Sequence, residues 1–529
     1  MPDSQRTLPA EALIEVSTSE LRQQLADRTI SSAMLVRASL DRIASLDHQG
    51  PALHAVIETN PDAPRIAAQL DAERLAGAVR SPLHGLPVLV KDNIATIDPM
   101  ETTAGSCALI GSRPTRDAFL VERLRAAGAI VLGKSNLSEW SNFRSTHSLS
   151  GWSGRGGQCV NPYQLDRTPW GSSAGSAVAV AASYVPFAVG TETDGSIVTP
   201  CGANGVVGIK PTVGLVSRSG VIPISHSQDT VGPIARSVAD AALLLNVLAA
   251  PDPDDAATSG DPDWSHHGST YPRRPAGLDA DGIDYTASLD LDGLRGARIG
   301  VLRSAKDPRF AEGVLAPILA SLRDAGATVV DPIALPGNAV GRGSGQEGTV
   351  LLHEFKVGIA DYLGRISPDG PMRSLADLIA FNDANADHEL RWFGQELFLN
   401  AEATEGLDAP AYREAIVACQ EGARRHGIDA LLGEHHLDAI IMLTNGPAPK
   451  IDVLNGDFSS WGSSSLAAMA GYPLLTVPAA ILGGMPIGLT FMGGAYSETT
   501  LIRLAYAFEQ RTRVRSAPPY AGPGVLPPC

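Results

Sequence analysis

Cysteine is scarce: Cys107, Cys159, Cys201, Cys419 and Cys529 are the five in 529 residues. So few, odd in number and without CxxC spacing, they exclude a disulfide framework and a thiolate metal cage, and they point to a reducing compartment. Basic runs are missing too. Lysine and arginine total 41 against 57 aspartate and glutamate, a net charge of −16, and no basic cluster exceeds pairs such as Arg273–Arg274. A polyanion binder must concentrate cations to neutralise phosphates, so nucleic acid is excluded as a partner. The first nineteen residues carry acidic side chains and lack a basic segment followed by an apolar one. No export signal is expected there, and the expected location is cytoplasmic. Two uncharged stretches, Gly171–Thr191 and Gly462–Ser497, come nearest to a membrane span. Pro186, Pro473, Pro478 and Pro486 break them, and lipid cannot satisfy a backbone so broken. Both read as buried core, with no membrane partner.

What is present is a chain that is 44% hydrophobic and long enough to bury a large core. The first eighty residues read as helices: Leu35, Leu40, Ile43 and Leu46 recur at helical steps, and Ile66, Leu70 and Leu75 follow the start signal Asn60-Pro61-Asp62. From His84 the texture changes. Leu86–Val90 reads as a strand, Ala118–Ala127 as a helix ended by Gly128, and Ala129–Gly133 as a second strand. The pattern recurs as strand Arg298–Leu302, helix Phe310–Ala325 and strand Thr328–Val330, with further strands at Ala439–Met442 and Leu474–Val477. Such alternation predicts an α/β fold: a single large domain with a mixed, mostly parallel central sheet covered by helices. Its parts are expected to be an N-terminal helical region (1–80) packed on the core, the core itself (81–250), an irregular linker rich in Asp, Pro and Gly (251–292), and the remainder (293–529), with a helical cap at about 351–430. There is no tandem repeat.

The chemistry concentrates between Gly85 and Leu248. Val90-Lys91-Asp92-Asn93 follows a strand directly; Pro169-Trp170-Gly171-Ser172-Ser173-Ala174-Gly175-Ser176 and Gly190-Thr191-Glu192-Thr193-Asp194-Gly195-Ser196-Ile197 are loops of small residues. By residue type alone Lys91 is a surface lysine, Ser172 or Ser173 an N-cap of a helix Ala174–Tyr184, and Gly195 a turn glycine. Three other patterns fail on context. Gly171-Ser172-Ser173-Ala174-Gly175 spells a nucleophile elbow, but the polar Tyr163–Trp170 is no buried strand. Gly343-Ser344-Gly345-Gln346-Glu347-Gly348 spells a dinucleotide fingerprint without the strand that must precede it. His266-His267 and His435-His436 lack the i, i+4 spacing that converges on zinc. No cofactor and no metal are expected.

Taken together, the lysine and the two serine loops resemble the amidase signature family. The resemblance extends through Gly85-Leu86-Pro87, Thr103-Ala104-Gly105-Ser106, Gly133-Lys134-Ser135-Asn136-Leu137-Ser138-Glu139, Gly205-Val206-Val207-Gly208-Ile209-Lys210-Pro211-Thr212 and the Gly471–Phe491 segment, nearly the whole chain. Within the family, Trp140–Arg144, Gly151–Ser153, Arg155–Gln158 and Thr191–Val198 are similar to the bacterial peptide amidases, which release ammonia from C-terminal amides of peptides. The resemblance implies Ser196 as nucleophile, Ser172 as a bridging serine in a cis peptide, Lys91 as base, and Ser173 as a donor to the same network. It also implies an oxyanion hole of backbone N–H groups from Thr193, Asp194, Gly195 and Ser196.

The physical logic agrees with those roles. An amide is a poor electrophile and a hydroxyl a poor nucleophile, so a base must take the proton during attack. Lysine can do so only when neutral, and burial lowers its pKa. The implied activity is hydrolysis of peptide carboxamides through an acyl-enzyme by a Ser-cisSer-Lys triad, on a small-molecule or peptide amide, with no partner chain required. Alternatives are a broader amidase of amino-acid, aliphatic or aryl amides, or the glutaminase-like subunit of a tRNA-dependent amidotransferase. A non-catalytic scaffold fits poorly with Lys91, Ser172 and Ser196 all present. Two departures stand out. Many relatives have Gly at Asp194 and Arg at Val198, and in some that arginine binds a substrate carboxylate; a small acidic amide is therefore disfavoured, and Asp194 becomes a candidate contact for the substrate backbone.

Overall fold

The computed structural model describes residues 8–522 except 260, 262–264, 275–281, 304–308, 338, 340–344 and 459–460. Cys529 and the Gly343-Ser344 part of the fingerprint lie outside the described residues. An eleven-stranded sheet runs through the molecule. In chain order its strands are β1 (Val56–Thr59), β2 (Pro87–Lys91), β3 (Ile130–Ser135), β4 (Phe187–Glu192), β5 (Val207–Lys210), β6 (Thr230–Ala235), β7 (Arg298–Leu302), β8 (Thr328–Ile333), β9 (Ala439–Leu443), β10 (Leu474–Leu482) and β11 (Met485–Met492). Their spatial order is β1-β3-β2-β4-β6-β5-β10-β11-β9-β7-β8.

The sheet is mixed, as expected, but not mostly parallel. Parallel pairing is confined to β3-β2-β4 on one side and β9-β7-β8 on the other. Six antiparallel pairs fill the centre and the β1 edge. One of these pairs has a local reason: β10 and β11 are joined by Gly483-Gly484, both at positive φ, and such a tight turn can only return the chain antiparallel. Near the N-terminus the helices Thr18–Ala26, Ser32–Leu46 and Ala63–Leu75 form where expected, but β1 lies between them. The Thr18–Ala26 helix starts with a capping box, Ser17 and Glu20 each satisfying the other's backbone N–H.

Helices cover both faces of the strands. The helix Ala174–Ala181 is wholly buried, made of Ala, Val, Gly and Ser small enough to lie against the sheet. It approaches so closely that a Cβ on Gly175 would stand 2.2 Å from the Ala55 carbonyl oxygen. The helices Gln346–Arg365, Leu375–Ala384, Glu396–Glu402 and Pro410–Ala423 follow the β8 strand. Among the described residues, no helix is long and apolar enough to cross a membrane.

Candidate active site

Strands β2 and β4 run parallel with Val90 opposite Val189, so they end together and bring Lys91 and Thr191 to the same edge. A crevice at the carboxyl ends of parallel strands is where this architecture places ligands. Val88, Leu89 and Val90 are fully buried and carry Lys91 with them, at 0% exposure, so the surface reading of this lysine does not hold. Its Nζ donates to Thr191 Oγ1 (2.8 Å) and to the Thr191 carbonyl (3.3 Å), and stands 2.7 Å from Ser172 Oγ. Asn93 Nδ2 donates to the same Thr191 hydroxyl oxygen at 3.0 Å. Burial pushes the Lys91 pKa down to about 7, against the opposing pull of the Asp229 and Glu192 carboxylates.

Ser172 follows a cis peptide bond from Gly171 and is completely buried. Ser173 does not cap the Ala174–Ala181 helix. Its hydroxyl instead donates to the Thr191 carbonyl (3.0 Å) and accepts from the Thr191 N–H (3.2 Å), while its own N–H donates to the Ser196 carbonyl (3.0 Å). Ser173 thus ties the first serine loop to β4 and to Ser196. No hydrogen bond joins the Ser172 and Ser196 hydroxyls; Ser196, 8% exposed, lines a cavity of about 370 Å³ that also borders Trp170, Asp194 and Trp461.

The turn after β4 is shaped by a buried carboxylate. Glu192 Oε2 accepts from the N–H groups of Ile197 (2.7 Å) and Val198 (3.0 Å), which folds residues 193–196 into a tight loop with Gly195 at φ +81°. Among the described residues, the N–H groups of Thr193, Asp194, Gly195 and Ser196 donate to no protein acceptor. Thr193 Oγ1 donates to Asp229 (2.5 Å), whose other oxygen receives the Ile224 and Ser225 N–H groups at 2.9 Å each. Burial raises the Asp229 pKa to about 6. Asp194 borders the Ser196 cavity, and each of its oxygens accepts a hydroxyl, from Ser464 at 2.5 Å and Ser465 at 2.7 Å.

The remaining motif residues hold loops. Lys134 donates to Thr102 Oγ1 (2.8 Å) and to the Ile94 carbonyl; Lys210 donates to the Tyr472 carbonyl (2.7 Å). Asp92 collects the Thr103 hydroxyl and the Gly105 N–H. Of these three buried lysines, only Lys91 abuts a serine hydroxyl. Sequence reasoning does not single out Thr191, Asn93, Glu192 and Asp229. The first three sit inside the quoted motifs; Asp229 has no local signal, since only the sheet brings it near Lys91. Among the described residues one group has metal-ligand spacing, Cys107, His388 and Glu389 with ligand atoms within 4.8 Å. Its carboxylate is already engaged by the Cys107 N–H (3.2 Å) and by Arg144 (3.5 Å), and none of the three borders the Ser196 cavity.

Comparison with known proteins follows the same outline. The Amidase family profile matches residues 34–502. A probable amidase of Arabidopsis thaliana is 42% identical, covering 96% of this chain and 92% of its own length. A glutamyl-tRNA(Gln) amidotransferase subunit from Anaeromyxobacter sp. (strain K) is 36% identical, covering 97% of this chain and 99% of its own. The crystal structure of the native peptide amidase of Stenotrophomonas maltophilia superposes with a TM-score of 0.89 at 51% identity, over 96% of this chain and 99% of that one. A match that spans the buried lysine, both serine loops and nearly all of the sheet makes the chain a member of the amidase signature family, an enzyme that hydrolyses amides.

Proposed function

We propose that the protein is a peptide amidase that converts C-terminal carboxamides to the free acid and ammonia, with Lys91, Ser172 and Ser196 as its triad. The observation that carries this is the complete burial of Lys91, with Nζ at 2.7 Å from Ser172 Oγ. A neutral lysine has two N–H groups and one electron pair. The Thr191 carbonyl can only accept, and Thr191 Oγ1 is also within reach. With both N–H groups spent on Thr191, the electron pair is left for the Ser172 proton.

In the forward step Lys91 takes the Ser172 proton as Ser172 takes that of Ser196, whose oxygen bonds to the amide carbon. The electron pair of the C=O bond moves to oxygen, where the unpaired N–H groups of residues 193–196 can meet it; one such donor is worth about 10²-fold or more in rate. Return of the proton through Ser172 to the amide nitrogen lets the C–N bond break and ammonia depart neutral. Water then repeats the sequence on the acyl-Ser196 ester and restores the enzyme.

The 51% identity to the S. maltophilia peptide amidase supports this substrate class above the wider amidases. The amidotransferase relatives offer the competing reading, in which further chains are needed. Ammonia release by the isolated chain across amidated peptides, their free acids, amino-acid amides and glutamine separates the two. We expect release from amidated peptides alone, with stoichiometric fluorophosphonate labelling that Ser196→Ala abolishes. Turnover without labelling of Ser196 would overturn the triad; activity confined to glutamine would overturn the substrate.

A further inference from the structure

The cavity above Ser196 has a one-sided charge. Among the described residues that border it, the ionisable side chains are Asp194 and Asp457, and none is a lysine, arginine or histidine. Arg144 adjoins the Asn142–Phe143 wall in sequence, but it is completely buried and committed to Glu139 (2.8 Å) and Glu389 (3.5 Å). The two aspartates are not equivalent. Asp194 has both oxygens filled by the Ser464 and Ser465 hydroxyls. Asp457 is held by one residue: its Oδ2 accepts from the Ser150 N–H at 2.9 Å, and the Ser150 hydroxyl adds to the same support.

That bond also fixes where Asp457 stands. Ser150 Oγ would lie 3.4 Å from a Cβ on Gly171, the residue before Ser172, so Asp457 is held one side chain away from the serine loop. Gly456, at φ +72°, lets the preceding backbone lie against His147, which seats the segment on the same wall. Trp170, Trp461 and Phe143 border the same cavity. A half-buried carboxylate supported by Ser150 alone is poorly compensated: burial pushes its pKa upward in spite of both Ser150 contacts. A cationic group entering the cavity would add charged donors to those of Ser150, and charge-assisted bonds of that kind are about twice as strong as neutral ones. Aromatic residues beside it favour the same sign of charge wherever a cation can reach a ring face.

Building on the peptide-amidase reading, we infer that Asp457 selects substrates that carry a positive charge, an α-ammonium or a guanidinium, close to the amide being cleaved. The two sources share one chemistry and are told apart by substrate. Four dipeptide amides are compared near neutral pH: alanyl-phenylalaninamide, its Nα-acetyl form, Nα-acetyl-arginyl-phenylalaninamide, and the citrulline analogue of the last, which is uncharged and nearly isosteric. The expected result is a kcat/KM about tenfold or more higher for at least one cation than for its neutral partner, in the range of a hydrogen bond to a charged group. A preference for the free amine over its acetyl form identifies the α-ammonium, and one for arginine over citrulline identifies the guanidinium.

In Asp457→Asn that ratio should fall to near one, and Asp457→Glu should restore part of it. As a check independent of any variant, raising the ionic strength should lower the wild-type ratio, because a pair at a solvent-open wall is screened. A wild-type ratio near one for both pairs, or a ratio that survives Asp457→Asn, overturns the inference while leaving the peptide-amidase reading intact. Ammonia from none of the four amides would overturn that reading, and this inference with it.

Discussion

An amine whose pKa lies at about 7 is half protonated at neutral pH, and only the fraction with a free electron pair can accept the Ser172 proton. The kcat/KM of the enzyme should therefore rise through about pH 7 and level off above it, a limb that a pH series on a neutral peptide amide will trace. Lys91→Arg should lose about 10³-fold or more, because guanidinium stays charged throughout. Retention of ordinary turnover would remove Lys91 from the mechanism. Residue type alone makes Lys91 a surface lysine; the pattern of serine loops around it implies the opposite, and its 0% exposure agrees with that pattern. Asp194 goes the other way. Its neighbours in the chain give no hint of Ser464 and Ser465, which reach it from some 270 residues downstream.

At the scale of elements, the helix Ala174–Ala181 and the strand β4 make the site by packing rather than by propensity. Gly175 faces the Ala55 carbonyl at 2.2 Å and the Asn136 backbone at 2.5 and 2.6 Å, as measured from the Cβ it lacks. Backbone cannot give way as a side chain can. Gly175→Ala should thus destabilise the protein by about 3 kcal/mol, read as a lower urea midpoint at unchanged slope, and shift Ser173 away from Thr191. A melting curve identical to that of the parent would contradict the packing described. The strands with continuous apolar runs, such as β2, β3 and β7, are legible from sequence. Strand β4 is not, because Gly190, Thr191 and Glu192 read as loop; buried polar groups with specific partners break the apolar signature where a site is built.

For the whole molecule, three fully buried lysines set a distinctive response to pH. Burial lowers Lys91 to about 7 and Lys134 and Lys210 to about 8. Unfolded, each would titrate near ~10.4, so between about pH 7 and about pH 10 the unfolded chain binds more protons and stability rises with pH. Asp229 at about 6, Glu509 at about 7 and Glu139 at about 8, all raised by burial, work in the opposite direction: their contribution falls from about pH 4 up to those values, and of these only Glu139 opposes the three lysines above pH 7. The melting temperature should accordingly climb from pH 7 toward pH 9, and Lys134→Met should flatten that climb. A steady fall over the same interval would contradict it. Fold class is legible from the α/β alternation, whereas the antiparallel centre is not, since it depends on which distant strands become neighbours.

That centre has a consequence for how the protein is made. Strands β10 and β11 occupy the middle of the sheet, between β5 and β9, yet of its strands they are the last two to be synthesised. Strands that pair before Leu474 is made can form only two separate groups, each with a bare edge where the hairpin belongs, and such edges are templates for pairing with the wrong chain. The sheet is whole only once this last-made hairpin joins the half carrying Lys91 and Ser196 to the half that follows Asp292.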